Sequence, residues 1–236
     1  MQHIDVSVVI PTYNERENIV HLIQAVIAQL SDTGRLFEIL IVDDNSPDGT
    51  GKVIRRVFQN DPRIRLYIRR RDPGLGASIL DGIGKARGDI VVGMDGDFNH
   101  DPRVIGKLLE SLKNADVVVA SRFVPGGGME DALRYATSLC FNLLLRLLYG
   151  FPIWDNTSGF YAIRKSTLLS LAPSAIYYGY GEYHLRLVFR AFKKQYRIRE
   201  VPVFYRTRIY GQSKSKFFTM IASYLKTAHG LRFGTV

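Results

Sequence analysis

Short apolar runs alternate with amphipathic stretches along the first half of the chain. Predominantly apolar segments of four to six residues lie at 6–11, 37–42, 64–68, 90–94 and 117–120. Between them, residues 19–30, 52–58 and 75–86 carry apolar side chains at helical spacing. Strands that alternate with helices predict right-handed βαβ crossovers. The predicted fold class is therefore α/β, with a mostly parallel sheet flanked by helices.

Two apolar stretches in the second half, residues 132–151 and 214–233, also predict helices. Only 11 residues separate Arg134 from Arg146 in the first stretch, about half of the roughly 20 that a membrane-spanning helix needs. This stretch could be a core helix or a helix that lies at a membrane interface. Two such helices in one half favour a membrane surface. Cys140, with apolar neighbours, is expected to be packed rather than reactive.

Polar clusters follow three of the predicted strands. They are Tyr13-Asn14-Glu15, Asp43-Asp44-Asn45 and Asp95-Gly96-Asp97. Because the carboxyl ends of parallel strands emerge at one edge of a sheet, the clusters can converge on one crevice. Each alone could be a turn, but three together favour a site. The paired carboxylates Asp95 and Asp97 suit Mg²⁺ or Mn²⁺ bound with a nucleotide diphosphate, and Asn99 or His100 could reach the same ion.

A basic loop is expected after a strand at residues 201–205. It carries Arg206, Arg208 and Lys214. Cations on such a loop can close over phosphates, and a solvated basic loop is the alternative. A metal–diphosphate site requires counter-charge, which favours the phosphate-binding role.

The formal net charge of +10 belongs to the second half. Residues 1–125 carry 16 Lys and Arg against 17 Asp and Glu, whereas residues 126–236 carry 16 against 5. This asymmetry indicates an anionic partner, either a nucleic acid, an anionic membrane surface or a phosphorylated substrate. Nucleic acid is the least favoured, because no recognisable binding module is present and the acidic clusters would have no role.

Several motifs carry a resemblance to a known family. Residues 6–15 (VSVVIPTYNE) and 41–49 (IVDDNSPDG), followed by the D-x-D sequence at 95–97, resemble glycosyltransferase family 2 with its Rossmann-like GT-A fold. Residues 121–123 (SRF), 158–164 (SGFYAIR) and 208–214 (RIYGQSK) resemble the polyprenyl-phosphate sugar synthases, the subgroup that includes the dolichol-phosphate mannose synthases. The resemblance covers nearly the whole chain.

The resemblance implies roles for individual residues. The expected nucleoside contacts are Pro11, Tyr13, Glu15 and Asp43. The expected metal and diphosphate ligands are Asp95 and Asp97, with Asn99 at the third position of the metal motif. The expected acceptor-phosphate contacts are Arg122, Arg134 and Ser138. The expected catalytic residues are Asp97, Arg208 and Lys214, the last two embracing the donor diphosphate.

One position departs from the pattern of the family. Relatives commonly carry an acidic residue in the helix at 182–192, where this chain has Arg186, with Glu182 one turn earlier. Glu182 and Arg186 have the i,i+4 spacing of a surface pair. Whether Glu182 replaces the missing carboxylate is open.

The resemblance implies inverting transfer of a hexose from a nucleotide sugar to a polyprenyl or dolichyl phosphate. GDP-mannose is the favoured donor and UDP-glucose the second. Within one continuous domain, residues 1–125 would bind the nucleotide sugar and residues 126–236 the acceptor. Interfacial helices would hold the chain on a membrane, with the catalytic domain on the cytoplasmic face. A phosphate acceptor is already ionised near neutral pH and needs little general-base help. The alternative, transfer to a sugar hydroxyl or a protein, needs a carboxylate such as Asp155 or Glu182 beside the acceptor.

Overall fold

A seven-stranded sheet forms the centre of the computed structural model, which describes residues 3–206 and 217–234. The strands are β1 (Val6–Thr12), β2 (Phe37–Asp43), β3 (Ile64–Ile68), β4 (Ile90–Gly93), β5 (Val117–Ser121), β6 (Gly128–Met129), β7 (Tyr161–Arg164), β8 (Ile198–Pro202) and β9 (Phe204–Tyr205). The order in the sheet is β3-β2-β1-β4-β7-β5-β8, and β6 pairs with β9 separately. Every pair in the main sheet is parallel except those of β7. The predicted mostly parallel sheet is confirmed.

Helices cover both faces of this sheet. They are α1 (Ile19–Ser31), α2 (Thr50–Phe58), α3 (Leu75–Lys85), α4 (Ile105–Ser111), α5 (Ala132–Tyr149), α6 (Lys165–Ser170), α7 (Tyr183–Lys193) and α8 (Phe217–Phe233). Successive side chains of a strand point to opposite faces. Val8 therefore packs with α1 and α4 on one face, whereas Val9 packs with α3 and α7 on the other. Because both faces are covered, β1 and β2 are buried at every position, which explains their largely apolar sequences.

The carboxyl ends of β1, β2 and β4 lie side by side. Thr12, the last residue of β1, is in register with Asp43, the last residue of β2. The N–H of Met94, just after β4, donates to the carbonyl of Val9 in β1 at 3.3 Å. The three polar clusters therefore emerge at the same edge, as the sequence predicts. Strands from both sides of residue 125 belong to this one sheet. The assignment of nucleotide-sugar binding to residues 1–125 and of acceptor binding to residues 126–236 stays a prediction.

The chain differs from the sequence predictions in two places. The single strand expected at 201–205 is two strands, because the N–H of Val203 donates to the carbonyl of Ser121 and the chain then joins β6 instead of continuing in the main sheet. The prediction for Cys140 is wrong, since this side chain is exposed. The side of α5 that faces the protein presents Asn142 and Leu145 instead.

Helix α5 buries one face and exposes another that is strongly apolar. Leu145 belongs to a small core cluster with Tyr224 of α8. Leu147 is 82% exposed and Leu148 is 62% exposed. The inner face of α5 thus agrees with a core helix, and the interfacial role of its outer face stays a prediction. In the ranges that the structure describes, no helix is long and apolar enough to cross a membrane.

Candidate functional site

A cavity of about 550 Å³, which we call the edge cavity, opens where β1, β2 and β4 end. All three polar clusters contribute to its lining, and its far wall is the loop that leads into α3. The predicted nucleoside and metal residues found there are Pro11, Tyr13, Glu15, Asp95 and Asp97. Its size suits a small-molecule ligand. The structure thus brings most of the predicted donor residues together.

Asp95 and Asp97 follow β4 and face the edge cavity. Asp97 is only 6% exposed, and its carboxylate accepts the backbone N–H of Asn99 at 3.1 Å and the side-chain amide of Asn99 at 3.0 Å. Phe98 has a φ of +63°, which turns the chain back so that Asn99 can reach Asp97. Asn99 therefore orients the Asp97 carboxylate in the structure, and its role as a metal ligand stays a prediction.

The His100 ring accepts a hydrogen bond from the backbone of Asp95. The Asp95 N–H donates to Nδ1 of His100 at 2.8 Å, so this nitrogen is the acceptor and the ring proton lies on Nε2. Nε2 lies 3.1 Å from the carbonyl oxygen of Ser158, to which it donates. The ring also stacks on Phe160, with the ring centroids 5.0 Å apart. Both nitrogens are thus engaged by the backbone, which fixes the turn that presents Asp95.

Asp43 and Asp44 have different surroundings although they are adjacent. The buried Asp43 carboxylate accepts hydrogen bonds from Thr12 Oγ1 at 3.0 Å and from the Ser46 N–H at 2.9 Å. It ties the end of β1 to the loop after β2 and does not line the edge cavity. Asp44 does line the cavity, and it accepts the N–H of Gly74 at 2.8 Å. The nucleoside contact implied for Asp43 stays a prediction.

A second cavity of about 370 Å³, the helix cavity, lies beneath α5 and α8. Arg122 reaches it from the end of β5, and Arg134 and Ser138 reach it from α5. The three residues expected to bind the acceptor phosphate therefore meet in one place. The residues common to the linings of both cavities are Leu75, Asp95 and Tyr180. The two cavities therefore adjoin each other at Asp95, the first aspartate of the D-x-D sequence.

Arg122 and Asp155 form a buried ion pair beside the helix cavity. Nε and Nη2 of Arg122 donate to the two carboxylate oxygens of Asp155 at 2.7 and 2.6 Å. Burial raises the pKa of Asp155, but the attraction of Arg122 outweighs it and the pKa lies below its ordinary value. Burial likewise opposes the charge of Arg122, yet Asp155 raises the arginine pKa above its usual range. Both groups are therefore ionised at neutral pH.

Glu182 and Arg186 are both buried, so they do not form the surface pair that their spacing suggests. The Glu182 carboxylate accepts the N–H of Tyr180 at 2.8 Å and a hydrogen bond from Ser223 of α8. Nη1 of Arg186 donates to the carbonyl of Tyr178 at 2.8 Å, and the guanidinium lies over the Tyr178 ring. Glu182 and Arg186 thus fix the backbone of the segment around Tyr180, the residue that borders both cavities.

Comparison with known proteins identifies the family. A model of glycosyl transferase family 2 matches residues 7–171, more than half of the chain. The chain belongs to glycosyl transferase family 2. It is 36% identical over 215 residues to an undecaprenyl-phosphate mannosyltransferase of Micrococcus luteus, covering 89% of this chain and 86% of that protein. It is 35% identical over 214 residues to a polyprenol monophosphomannose synthase of Mycolicibacterium smegmatis, covering 88% and 79%.

A third relative of this family 2 glycosyltransferase is longer. The dolichol-phosphate mannosyltransferase of Pyrococcus furiosus is 33% identical over 231 residues, and the match spans 96% of this chain but 63% of that protein. Among solved structures, glucosyl-3-phosphoglycerate synthase of Mycobacterium tuberculosis with Mn²⁺, UDP and phosphoglyceric acid has a TM-score of 0.73 at 20% identity, covering 97% of this chain and 78% of that one. This likeness confirms the GT-A fold.

The side chains that could bind a metal in this family 2 glycosyltransferase fit a hard divalent cation. Asp95 and Asp97 present carboxylate oxygens to one cavity, and Asn99 restrains one of them. Among the described residues, no group of three or more His, Cys, Asp or Glu could hold a metal alone. The ion would therefore take its remaining ligands from substrate phosphates and water, as Mg²⁺ commonly does.

Two predicted residues, Arg208 and Lys214, lie outside the described residues. Sequence reasoning missed Leu75 and Tyr180, which join the two cavities. The glycines on either side of Leu75, Gly74 and Gly76, are the sequence signal that could have found it. In the structure, the Gly76 N–H donates to the carbonyl of Gly179 at 3.2 Å, so this turn lies against the segment that carries Tyr180. Glycine next to a helix start often marks close backbone contact. No pattern in the sequence singles out Tyr180.

Proposed function

We propose that this glycosyltransferase moves mannose from a nucleotide sugar, GDP-mannose in the first instance, to the phosphate of a polyprenol such as dolichol. The observation that carries the proposal is the junction of two cavities at Asp95, one with paired carboxylates and the other with the cations Arg122 and Arg134. The names of the three relatives, all mannosyltransferases or mannose synthases with polyprenyl-type acceptors, support the sugar and the acceptor class.

In the edge cavity, Asp95 and Asp97 would hold Mg²⁺ or Mn²⁺ together with the donor diphosphate. A bound divalent cation neutralises the charge that develops on a nucleoside diphosphate as it leaves. Tyr13 and Asp44 border the space for the nucleoside. His100 holds the turn that presents Asp95, so the donor site is formed before the sugar arrives.

In the helix cavity, the acceptor phosphate would bind between Arg122 and Arg134. Its oxygen attacks the anomeric carbon as the diphosphate departs, which inverts the configuration in a single displacement. A phosphate is ionised near neutral pH, so no general base is required. The carboxylates that a hydroxyl acceptor would need are engaged elsewhere, since Asp155 binds Arg122 and Glu182 binds the Tyr180 N–H. This favours a phosphate over the sugar-hydroxyl or protein alternative.

The acceptor chain would leave the cavity between α5 and α8 toward a membrane surface. The cavity wall there is apolar through Phe141, Ile221 and Tyr224. On the outside of α5, Leu147 and Leu148 expose an apolar face that suits insertion between lipid head groups. We place the catalytic domain on the cytoplasmic side of that membrane, where nucleotide sugars are made.

The test is incubation of the purified chain with Mn²⁺, radiolabelled GDP-mannose and a polyprenyl phosphate, followed by organic extraction. Label in the organic phase supports the proposal. UDP-glucose is the second donor, favoured by the resemblance of the motifs, and labelled UDP-glucose in a parallel reaction distinguishes the two. Label that moves only to a free sugar or a protein would support the hydroxyl-acceptor alternative.

A further inference from the structure

The carboxylate of Asp155 holds both the backbone and the side chain of Arg122. Oδ2 accepts the Arg122 N–H at 3.0 Å and Nε at 2.7 Å, and Oδ1 accepts Nη2 at 2.6 Å. Three bonds between one carboxylate and one residue restrict the arginine to a single rotamer. Nη2 also donates to Thr157 Oγ1 at 2.8 Å, and the guanidinium lies 4.9 Å from the centroid of the Tyr205 ring. Arg122 is therefore ordered before any ligand binds.

The loop that carries Asp155 is fixed from two sides. Glu200 of β8 accepts the N–H groups of Trp154 and Asp155 at 2.8 and 2.9 Å. Asn142 of α5 accepts the Asn156 N–H at 2.7 Å and donates to Thr157 at 3.0 Å. The loop thus connects a strand of the sheet to the helix that contributes Arg134 and Ser138.

Arg122 lines the helix cavity. Within the described part of the chain, Nη1 makes no hydrogen bond, whereas Nε and Nη2 are engaged by Asp155. Arg134 lines the same cavity and forms no ion pair with the described residues. An arginine whose rotamer is already fixed loses little side-chain entropy when it binds an anion.

We propose that Asp155 is a positioning residue for the acceptor phosphate: it holds the Arg122 guanidinium with Nη1 toward the helix cavity, and Glu200 and Asn142 hold Asp155. This rests on the proposed function. Asp155 does not act as a base, because both of its oxygens are occupied and it does not line the cavity. Asn142 also fixes the position of Arg134 on α5 relative to Arg122 at the end of β5.

Three variants test this assignment. Asp155→Asn preserves the shape but removes the charge and turns one oxygen into a donor. Thr157→Val leaves the ion pair and removes one acceptor of Nη2. Asp116→Asn is the matched control, because Asp116 faces Arg197 at 3.5 Å at the opposite end of β5 from the cavity.

The assay uses the purified chain, Mn²⁺, GDP-mannose and farnesyl phosphate as a short acceptor. We expect Asp155→Asn to raise the KM for farnesyl phosphate about tenfold or more, as loss of a charge-assisted clamp implies. The KM for GDP-mannose should stay within about twofold and the pH profile of kcat/KM should keep its shape. Thr157→Val should raise the acceptor KM about threefold, and Asp116→Asn should leave all parameters within about twofold.

Binding is measured separately from turnover. Trp154, the only tryptophan of the chain, precedes Asp155, so its fluorescence reports on this loop. Titration with farnesyl phosphate should show weaker affinity in Asp155→Asn, by a factor similar to the change in KM, while titration with GDP is unaffected. If Asp155→Asn fails to fold, Thr157→Val carries the test through the same two measurements.

Three results would overturn the assignment. A fall in kcat with both KM values unchanged and loss of the acidic limb of the pH profile would make Asp155 a general base. An unchanged acceptor KM in Asp155→Asn and Thr157→Val would remove the positioning role and leave the proposed function intact. A wild-type chain that binds GDP-mannose but forms no lipid product would overturn the proposed function and this assignment with it.

Discussion

His184 makes the stability of this fold depend on pH. His184 belongs to α7, and its side chain is buried, with 1% exposure. Neither ring nitrogen makes a hydrogen bond within the described part of the chain. Burial lowers the pKa of His184 to about 4; Asp155 raises the pKa, and His100 and Arg122 lower it further. The ring of Tyr161 is its aromatic neighbour, with the centroids 6.0 Å apart. His184 is therefore neutral in the folded chain at pH values where an unfolded chain begins to protonate it.

The direction of the effect follows from the two pKa values. The ordinary histidine value is 6.5 and the folded value of His184 is about 4, so the unfolded chain binds the proton more readily between them. Stability from the neutral ring is fully present above pH 6.5 and falls as the pH drops toward 4. Linkage gives a loss of about 2 kcal/mol between pH 8 and pH 5 and about 3 kcal/mol by pH 4. Carboxylates with lowered pKa values, such as Asp155, lose their contribution only at more acidic pH.

The assay is urea unfolding of wild type and His184→Leu at pH 8 and pH 5. The wild type should lose about 2 kcal/mol more than the variant between these pH values. At pH 8 the variant should be within about 1 kcal/mol of wild type, because the ring nitrogens have no partners to lose. His21→Leu, which removes an exposed histidine of α1, is the control and should follow the wild type. Equal losses in wild type and His184→Leu would refute the reasoning.

Three further predictions concern the cavities and the surface. Asp97→Asn should lower kcat/KM by about a hundredfold or more in the Mn²⁺ assay, and near-normal turnover would remove the metal role of Asp97. Gly76→Ala should destabilise the fold by about 2 kcal/mol in urea, since a Cβ there would lie 2.7 Å from the backbone of Tyr178, whereas the open position Gly84 should gain up to about 1 kcal/mol from the same change. Leu147→Glu should weaken sedimentation with anionic lipid vesicles about tenfold while turnover of farnesyl phosphate in detergent stays normal; unchanged vesicle binding would exclude α5 from the membrane contact.

The strands that bear the site could be predicted from the sequence because they are buried on both faces. Residues 90–94 form a continuous apolar run, so the position of Asp95 at a strand end follows from local sequence. Strand β7 has only four residues and lies antiparallel between β4 and β5. Neither the direction of β7 nor its place between β4 and β5 follows from its own short sequence, since both partners are distant in the sequence.

Contacts between distant side chains were beyond the reach of sequence reasoning. Asp155 could be a base or an orienting group by its sequence context, and only its bonds to Arg122, 33 residues away, distinguish the two. The i,i+4 spacing of Glu182 and Arg186 indicates a surface pair, but tertiary packing buries both and gives them different partners. An i,i+4 spacing predicts which side chains are neighbours on one helix. It does not predict which other elements pack over that helix.

Because Leu75, Asp95 and Tyr180 border both cavities, a single compact molecule can reach across the pair. On the proposed assignment of donor and acceptor, a nucleoside joined through a short rigid spacer to an alkyl phosphonate would occupy the edge cavity and the helix cavity at once. Once one end has docked, the other is presented at high local concentration, so two weak halves give tight inhibition. The architecture therefore offers a route to bisubstrate inhibitors that neither a nucleotide mimic nor a lipid mimic provides alone.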